Sequence, residues 1–86
     1  MKAQKILAWN IRKIRVELGL SQEKLAMEAG VERAYFGKLE QGTENVTVAI
    51  VDAIATALAV PVSELFRQPL ENEEMPKPLR AGRKKP

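Results

Sequence analysis

The side chains best suited to chemistry lie in one short stretch, between residues 21 and 42. Arg33 carries a planar fork of N–H donors, Lys38 carries an ammonium charge, and Gln22 and Glu32 add an amide and a carboxylate. Such groups recognise anions and hydrogen-bonding partners. The chain has no His and no Cys, which removes the commonest general bases, thiol nucleophiles and zinc ligands. The composition therefore indicates recognition, and we expect no enzyme activity, no catalytic residue, no metal and no cofactor.

Net charge gives no general argument for binding a polyanion. The 86 residues carry a net charge of +3, but residues 1–66 hold eight Lys or Arg and eight Asp or Glu. The excess lies in residues 67–86, where six Lys or Arg face three Glu. The case for a nucleic-acid partner must therefore come from a local arrangement of groups.

Neither a membrane span nor a secretion signal is expected. No stretch reaches the roughly 18 consecutive apolar residues of a transmembrane helix, and the opening MKAQKILAWNIRK is too short and too polar for a signal peptide. We expect a cytoplasmic protein without a membrane partner.

The elements that must position these side chains are helices. Leu7, Ile11, Ile14 and Leu18 form one apolar stripe that ends at Gly19. Ser21 and Thr47 are suitable N-caps, and the remaining helices are predicted at residues 22–29, 32–41 and 48–59, with a short last turn ending at Phe66. No strand pattern is present. The prediction is an all-α domain at residues 1–66.

The helix at 32–41 has two different sides. Phe36, Leu39 and Glu40 share one face of a helical wheel, whereas Ala34, Lys38 and Gln41 lie opposite. Together with the helix at 22–29 and the tight turn at Gly30, this pattern predicts a helix-turn-helix at residues 21–42. The outer ridge is narrow enough for the major groove of B-DNA, which is about 12 Å wide.

The motifs SQEKLA, AGVERAY and KLEQG, followed by NVTVAIVDAIATALAVPVSELF, resemble the Cro/phage-repressor type of helix-turn-helix, the xenobiotic-response-element family of bacterial transcription regulators. The resemblance covers about residues 5–66. It implies a five-helix, lambda-repressor-like, all-α domain that binds double-stranded DNA as a homodimer on an inverted-repeat operator. The expected function is therefore transcriptional repression or autoregulation.

The resemblance also implies which residues contact DNA. Gln22 matches a position that supports the recognition helix and touches the DNA backbone, and Asn45 and Thr47 match a loop that holds a phosphate. On the recognition helix, the implied DNA-binding residues are Glu32, Arg33, Ala34, Tyr35 and Lys38. We add Gly37, because its lack of bulk, like that of Ala34, would let the helix backbone come close to base edges. Gly37 departs from the family, which often has Ser there, and costs about 1 kcal/mol of helix propensity relative to Ala.

The residues themselves leave alternatives open. Arg33 and Lys38 contact DNA or are simply solvated surface charges; in the first case Arg33 is suited to bidentate contact with guanine. Glu32 accepts a hydrogen bond from cytosine N4 or repels non-specific phosphate, and Tyr35 serves packing or phosphate contact.

The resemblance implies an internal ion pair between Arg15 and Glu40. The helical wheel places Glu40 beside Phe36 on the core side, where a carboxylate needs a partner. Its expected role is structural.

The helix at 48–59 is apolar on nearly all sides, which is typical of a helix covered on all sides. We expect a homodimer interface at Ile50, Ala53, Val62, Leu65 and Phe66, with recognition helices about 34 Å apart. The alternative is a wide core stripe padded with alanines.

Residues 67–86 hold four of the five prolines and no helical stripe, which predicts a flexible, basic C-terminal tail. This tail contacts DNA phosphates, binds a protein partner, covers Trp9, or is inert. The alternative function is an antitoxin or a restriction–modification controller whose DNA binding is coupled to a protein partner.

Overall fold

The computed structural model describes residues 2–77, which form four α-helices and one 3-10 helix. They are α1 (Lys2–Glu17), α2 (Gln22–Ala29), α3 (Arg33–Glu40), α4 (Val48–Leu58) and the 3-10 helix Val62–Phe66. No strand occurs over this range, so the all-α prediction is confirmed. No helix in it is both long enough and apolar enough to span a bilayer.

The expectation of five helices is wrong for the last element. After Pro61, only five residues remain helical, and they form a 3-10 helix. Short helical pieces commonly take this tighter form, because it closes hydrogen bonds over three residues rather than four. The other predicted ends shift by about one residue; α4 stops at Leu58, and Ala59 follows with a left-handed φ of 60°.

One hydrophobic core joins all five elements. α2 packs against α3 and α4, and α1 packs against α3 and the 3-10 helix. Every element contributes to the most deeply buried apolar side chains, which are Ile11, Leu25, Phe36, Leu39, Ile54 and Leu65. Burial of a side chain of this size stabilises the fold by about 1.5–3 kcal/mol, so these contacts fix α3 against the rest of the domain.

Local capping sets where the helices begin and end. The Ser21 hydroxyl accepts from the Lys24 amide at 2.9 Å, and Thr47 Oγ1 accepts from the Ile50 amide at 3.1 Å. Gly30 ends α2 with φ 72°, a conformation that glycine adopts without strain. Glu32, at the N-cap position of α3, makes no side-chain capping hydrogen bond, since it is not one of the short polar residues that favour this position.

Asn10 connects α1 to the end of the domain. Its side chain is 2% exposed, and Nδ2 donates to the carbonyl oxygens of Ile6, Leu65 and Arg67 at 3.1, 3.1 and 2.8 Å. The 3-10 helix therefore covers a second side of α1. Burial on α1 extends beyond the predicted stripe, since Val16, which is not part of that stripe, is also buried and Trp9 is half-buried.

Residues 67–77 follow the domain without a regular helix or strand. The Glu73 carboxylate lies 3.4 Å from Lys13 Nζ and 3.7 Å from Arg67 Nη2, and it accepts from the Leu70 amide at 3.1 Å. That backbone hydrogen bond, aided by Lys13 and Arg67, lowers the pKa of Glu73 below its ordinary value. The rest of the predicted basic tail, residues 78–86, lies outside the described residues.

Replacing Asn10 with Asp should destabilise the fold strongly, because the new carboxylate would face three carbonyl oxygens instead of donating to them. Loss of a buried donor costs about 1–3 kcal/mol, and more when the group is charged. Burial raises the pKa of such a carboxyl, so the defect should be largest at neutral pH and should shrink as the pH falls and the group is protonated.

The measurement is chemical denaturation of the Asn10→Asp variant at several pH values. The control is Asn72→Asp, at an exposed position of the turn after the domain, which should change stability little at any pH. Equal stability of the two variants at pH 7 would show that the Asn10 contacts do not hold the domain together.

Candidate nucleic-acid interface

A buried hydrogen-bond network holds α3 in place. Glu40, at the end of α3, has a side chain only 3% exposed, and Arg15 of α1 is 10% exposed. Arg15 Nε donates to Glu40 Oε2 at 2.6 Å, and Nη2 donates to Oε1 at 3.1 Å. This bidentate ion pair is the one that the resemblance implied, and it joins the inner side of α3 to the first helix.

Two further hydrogen bonds extend this network to α2 and to the turn before it. Gln22 Nε2 donates to Glu40 Oε1 at 2.8 Å, and Arg15 Nη1 donates to the Leu20 carbonyl at 2.8 Å. Gln22 therefore supports the recognition helix, one of the two roles expected of it. Because both oxygens of Glu40 are engaged, α3 is fixed in position and in rotation about its own axis.

The outer ridge of α3 is free of packing. Arg33, Ala34 and Lys38 are exposed along it, and Gln41 is exposed just past its end. Phe36 and Leu39 are fully buried on the opposite side. The helix thus presents small and hydrogen-bonding side chains to solvent while its apolar edge is anchored.

One flank of the ridge forms a polar cleft, which we call the arginine cleft. It is lined by Arg12, Arg15, Gln22, Arg33, Gly37, Glu40 and Gln41. Arg12 and Arg33 lie on its exposed rim, and the Arg15–Glu40 pair lies at its base. The cleft brings together Gln22, Arg33 and Gly37, three of the residues that the sequence analysis proposed for DNA contact, and adds Arg12.

The other flank of the ridge forms a more apolar groove between α3 and the start of α4. Its lining includes Glu32, Tyr35, Asn45, Thr47, Ile50 and Ala53. Tyr35 is half-buried and packs against the core, so packing accounts for part of its role. Asn45 is exposed, and its Oδ1 accepts a hydrogen bond from Gln4 Nε2 at 2.9 Å.

The positive charges of this surface are not neutralised internally. Within residues 2–77, neither Arg12, Arg33 nor Lys38 forms an ion pair with a carboxylate. By contrast, Lys13 and Lys24 on other surfaces pair with Glu17 and Glu28. Three cations without counter-charges around one helix favour an anionic ligand.

The residues predicted to form a dimer interface do not all reach the surface. Val62 and Phe66 are 40% and 45% exposed, and Ile50 and Ala53 are half-buried in the groove beside α3. Leu65 is fully buried in the core of the single chain, so its inclusion was wrong: its side chain has no surface left for a second subunit.

Three relevant residues were missed. Arg12 is exposed and lines the arginine cleft beside α3. Its position seven residues after Lys5 indicates a basic side of α1, but not that this side lies beside α3. Val48 is 84% exposed and lines an apolar groove with Val46, Leu7 and Phe66. Gln4 holds the loop before α4 by donating to the Glu44 carbonyl at 2.6 Å; a polar residue near the start of a helix carries no signal for such a distant contact.

Comparison with known proteins agrees with this geometry. A helix-turn-helix family model matches residues 11–65. Control protein C.SmaI of Serratia marcescens is 41% identical over 75 residues, which are 86% of this chain and 89% of that protein. The crystal structure of the restriction–modification controller protein C.AhdI from Aeromonas hydrophila aligns with a TM-score of 0.74 at 36% identity, over 77% of this chain and 100% of the other.

A hypothetical transcription factor from Neisseria, NHTF, aligns with a TM-score of 0.75 at 34% identity, over 78% of this chain and 77% of the other. The fold is therefore shared with proteins that are described as transcription factors as well as with controller proteins.

Removal of the Glu40 carboxylate should destabilise the domain far more than removal of an exposed one. Glu40→Ala leaves Arg15 buried without its partner, which typically costs about 3–5 kcal/mol, and also leaves the Gln22 amide without its acceptor. For a domain of this size, each kcal/mol lowers the melting temperature by about 4–8 °C. Thermal unfolding followed by circular dichroism measures the loss.

The matched control is Glu23→Ala, because Glu23 is exposed in the first turn of α2. Its charge there is worth at most about 1 kcal/mol. If both variants melted at the same temperature, the Glu40 network would not be a structural anchor.

Proposed function

The chain belongs to the helix-turn-helix family, and from that premise we propose that it is a sequence-specific regulator of transcription that binds double-stranded DNA. The observation that carries the proposal is the division of α3 into an anchored inner side and a cationic, hydrogen-bonding outer ridge. A ridge of this width enters the major groove, which displays a distinct pattern of donors and acceptors for each base pair.

Arg33 and Lys38 are the side chains that read bases. Both are exposed on α3, and neither is paired with a carboxylate in the described part of the chain. The Arg33 guanidinium suits the O6 and N7 acceptors of guanine, a contact worth about 1–3 kcal/mol of discrimination. Ala34 adds little bulk, so the helix backbone approaches the base edges closely beside it.

A second group of residues holds the DNA backbone. Thr47 caps the 11-residue helix α4, whose N-terminus carries a partial positive charge that favours a phosphate. Asn45 lies beside it, and Gln22 and Arg12 lie on the opposite flank of α3. Phosphate contacts on both flanks would centre the ridge in the groove and fix its register.

A homodimer supplies the second half of the interface. Val48, Val62 and Phe66 expose apolar side chains. Val48 and Phe66 line one groove, and none of the three lines the arginine cleft. Pairing of two copies through this surface by a two-fold axis places two α3 ridges about one DNA turn, roughly 34 Å, apart. The operator is then an inverted repeat, and occupancy depends on protein concentration.

Control of a restriction–modification system is the specific role that the comparisons favour. The controller protein C.AhdI aligns over its whole length, and C.SmaI is 41% identical over most of both chains. In that setting the protein acts in the cytoplasm as a repressor or autoregulator. An antitoxin role, the other alternative from the sequence, has no comparable support.

The function is tested by selecting duplexes from a random library with the purified full-length chain at a stated salt concentration. The proposal predicts an inverted repeat. Arg33→Ala should relax the preference at one position in each half-site, because it removes a base contact. Asn45→Ala should lower the affinity for all DNA sequences about equally, because it removes a phosphate contact.

Binding is measured by fluorescence anisotropy for the selected duplex and for single-position variants of it. Recovery of no enriched sequence, together with no complex at micromolar protein, would reject the proposed function. Loss of preference at the same position in both variants would reject the division between base and backbone contacts.

The dimer surface is tested with Phe66→Glu, which places a charge on the exposed apolar side. Analytical ultracentrifugation should show a shift to monomer, and affinity for a complete inverted repeat should fall more than affinity for a single half-site. Leu18→Glu is the control, because Leu18 is also an exposed apolar residue, 54% accessible, but lies at the end of α1. Equal dimerisation of the two variants would contradict the assigned interface.

A further inference from the structure

Gly37 lies within α3, where the backbone gives no reason for glycine. The positive-φ glycines of the described chain are Gly19, Gly30 and Gly42, and Gly37 is not among them. Its conformation is helical, and any other residue with good helix propensity would stabilise α3 better. The fold therefore does not explain this residue.

The space beside Gly37 is occupied by the end of the Arg33 side chain. A Cβ atom built on Gly37 would lie 3.1 Å from Arg33 Nη1, and, apart from its chain neighbours and the helix backbone, no other heavy atom lies within 4 Å. Residues 33 and 37 are one turn apart and therefore share a side of the helix. The guanidinium of Arg33 thus lies along its own helix, over the position that has no side chain.

We propose that Gly37 is a positioning residue for Arg33 and thereby determines which base Arg33 prefers. This inference rests on the proposed function, since it assigns the specificity of the same site. Without a Cβ at position 37, the guanidinium lies close to the α3 backbone, within the arginine cleft that also contains Arg12 and Gln41. Its donors then meet base edges nearer the C-terminal end of α3 than an outward-pointing Arg33 would reach.

Adding a methyl group at position 37 should make the domain more stable and, at the same time, weaken its preference for one base. The only close neighbour of that methyl group is the end of an exposed, flexible side chain, which moves at little cost. Gly37→Ala should therefore raise the melting temperature by about 4–8 °C through helix propensity. The displaced guanidinium should no longer meet its preferred base in the same geometry.

Another role for Gly37 is to admit the DNA itself, because a Cβ would collide with the duplex. This role predicts that Gly37→Ala weakens binding whether or not Arg33 is present. The positioning role predicts that the effect of Gly37→Ala depends on Arg33. A double-mutant cycle separates the two roles.

The experiment compares the wild-type chain with Gly37→Ala, Arg33→Ala and the double variant, all as full-length protein. The probes are the duplex selected by the wild type and the versions of it that carry each other base at the Arg33-dependent position. Anisotropy gives the affinity ratio between bases for every variant, and thermal unfolding confirms that each is folded.

The proposal predicts that Gly37→Ala reduces this ratio by about tenfold or changes the preferred base, a loss within the usual range for one bidentate contact. In the Arg33→Ala background, adding Gly37→Ala should leave the ratio unchanged within about twofold. Gly37→Ala should also melt at a higher temperature than wild type.

The results that would overturn the positioning role differ from those that would overturn the proposed function. If Arg33→Ala alters the preference but Gly37→Ala does not, the positioning role is overturned and the proposed function stands. If Gly37→Ala weakens binding equally with and without Arg33, the glycine is needed so that DNA can approach α3 without a collision. The positioning role is again overturned. If Arg33→Ala leaves all preferences unchanged, Arg33 does not read bases, and both the positioning role and this part of the proposed function are overturned.

Discussion

The contact on which the interface depends is the ion pair between Arg15 and Glu40, with its nearest atoms 2.6 Å apart. It connects α1 to α3, and Gln22 and the Leu20 carbonyl extend it to α2 and the turn before it. A buried pair of this kind contributes little net stability over apolar packing, but loss of either partner is costly. Its value here is geometric: it fixes the rotation of an eight-residue helix that is too short to be stable alone.

Fixing the inner side of α3 leaves its outer ridge available for a partner. The charges of residues 1–66 balance, yet Arg12, Arg33 and Lys38 form no ion pair in the part of the chain that the structure describes, whereas Lys13 and Lys24 do. The electrostatic attraction for DNA therefore arises from where the positive charges lie on the surface and not from the net charge of the domain. Gly37 lines the arginine cleft beside this ridge. Another residue there would make α3 more stable, but the Arg33 guanidinium occupies the space that its side chain would fill.

The sequence predicted α2 correctly and placed α3 and α4 to within about one residue, because Ser21, Gly30 and Thr47 are strong local signals. The Arg15–Glu40 contact came from the family resemblance. Contacts between residues far apart in the sequence were not predictable. Nothing in the sequence near Asn10 indicates that it binds the carbonyl of Leu65, 55 residues away, and the apolar pattern alone did not distinguish Leu65 in the core from Phe66 at the surface.

The most direct test of the central claim is nuclear magnetic resonance of the labelled chain during titration with the selected duplex. The account predicts large shifts of the backbone amides of Arg33, Ala34, Gly37 and Lys38, while the Arg15 Nε–H signal remains protected from exchange because Glu40 still holds it in the complex. Shifts confined to α1 or to residues after Phe66, or loss of the Arg15 signal on binding, would contradict an anchored helix whose outer ridge contacts DNA.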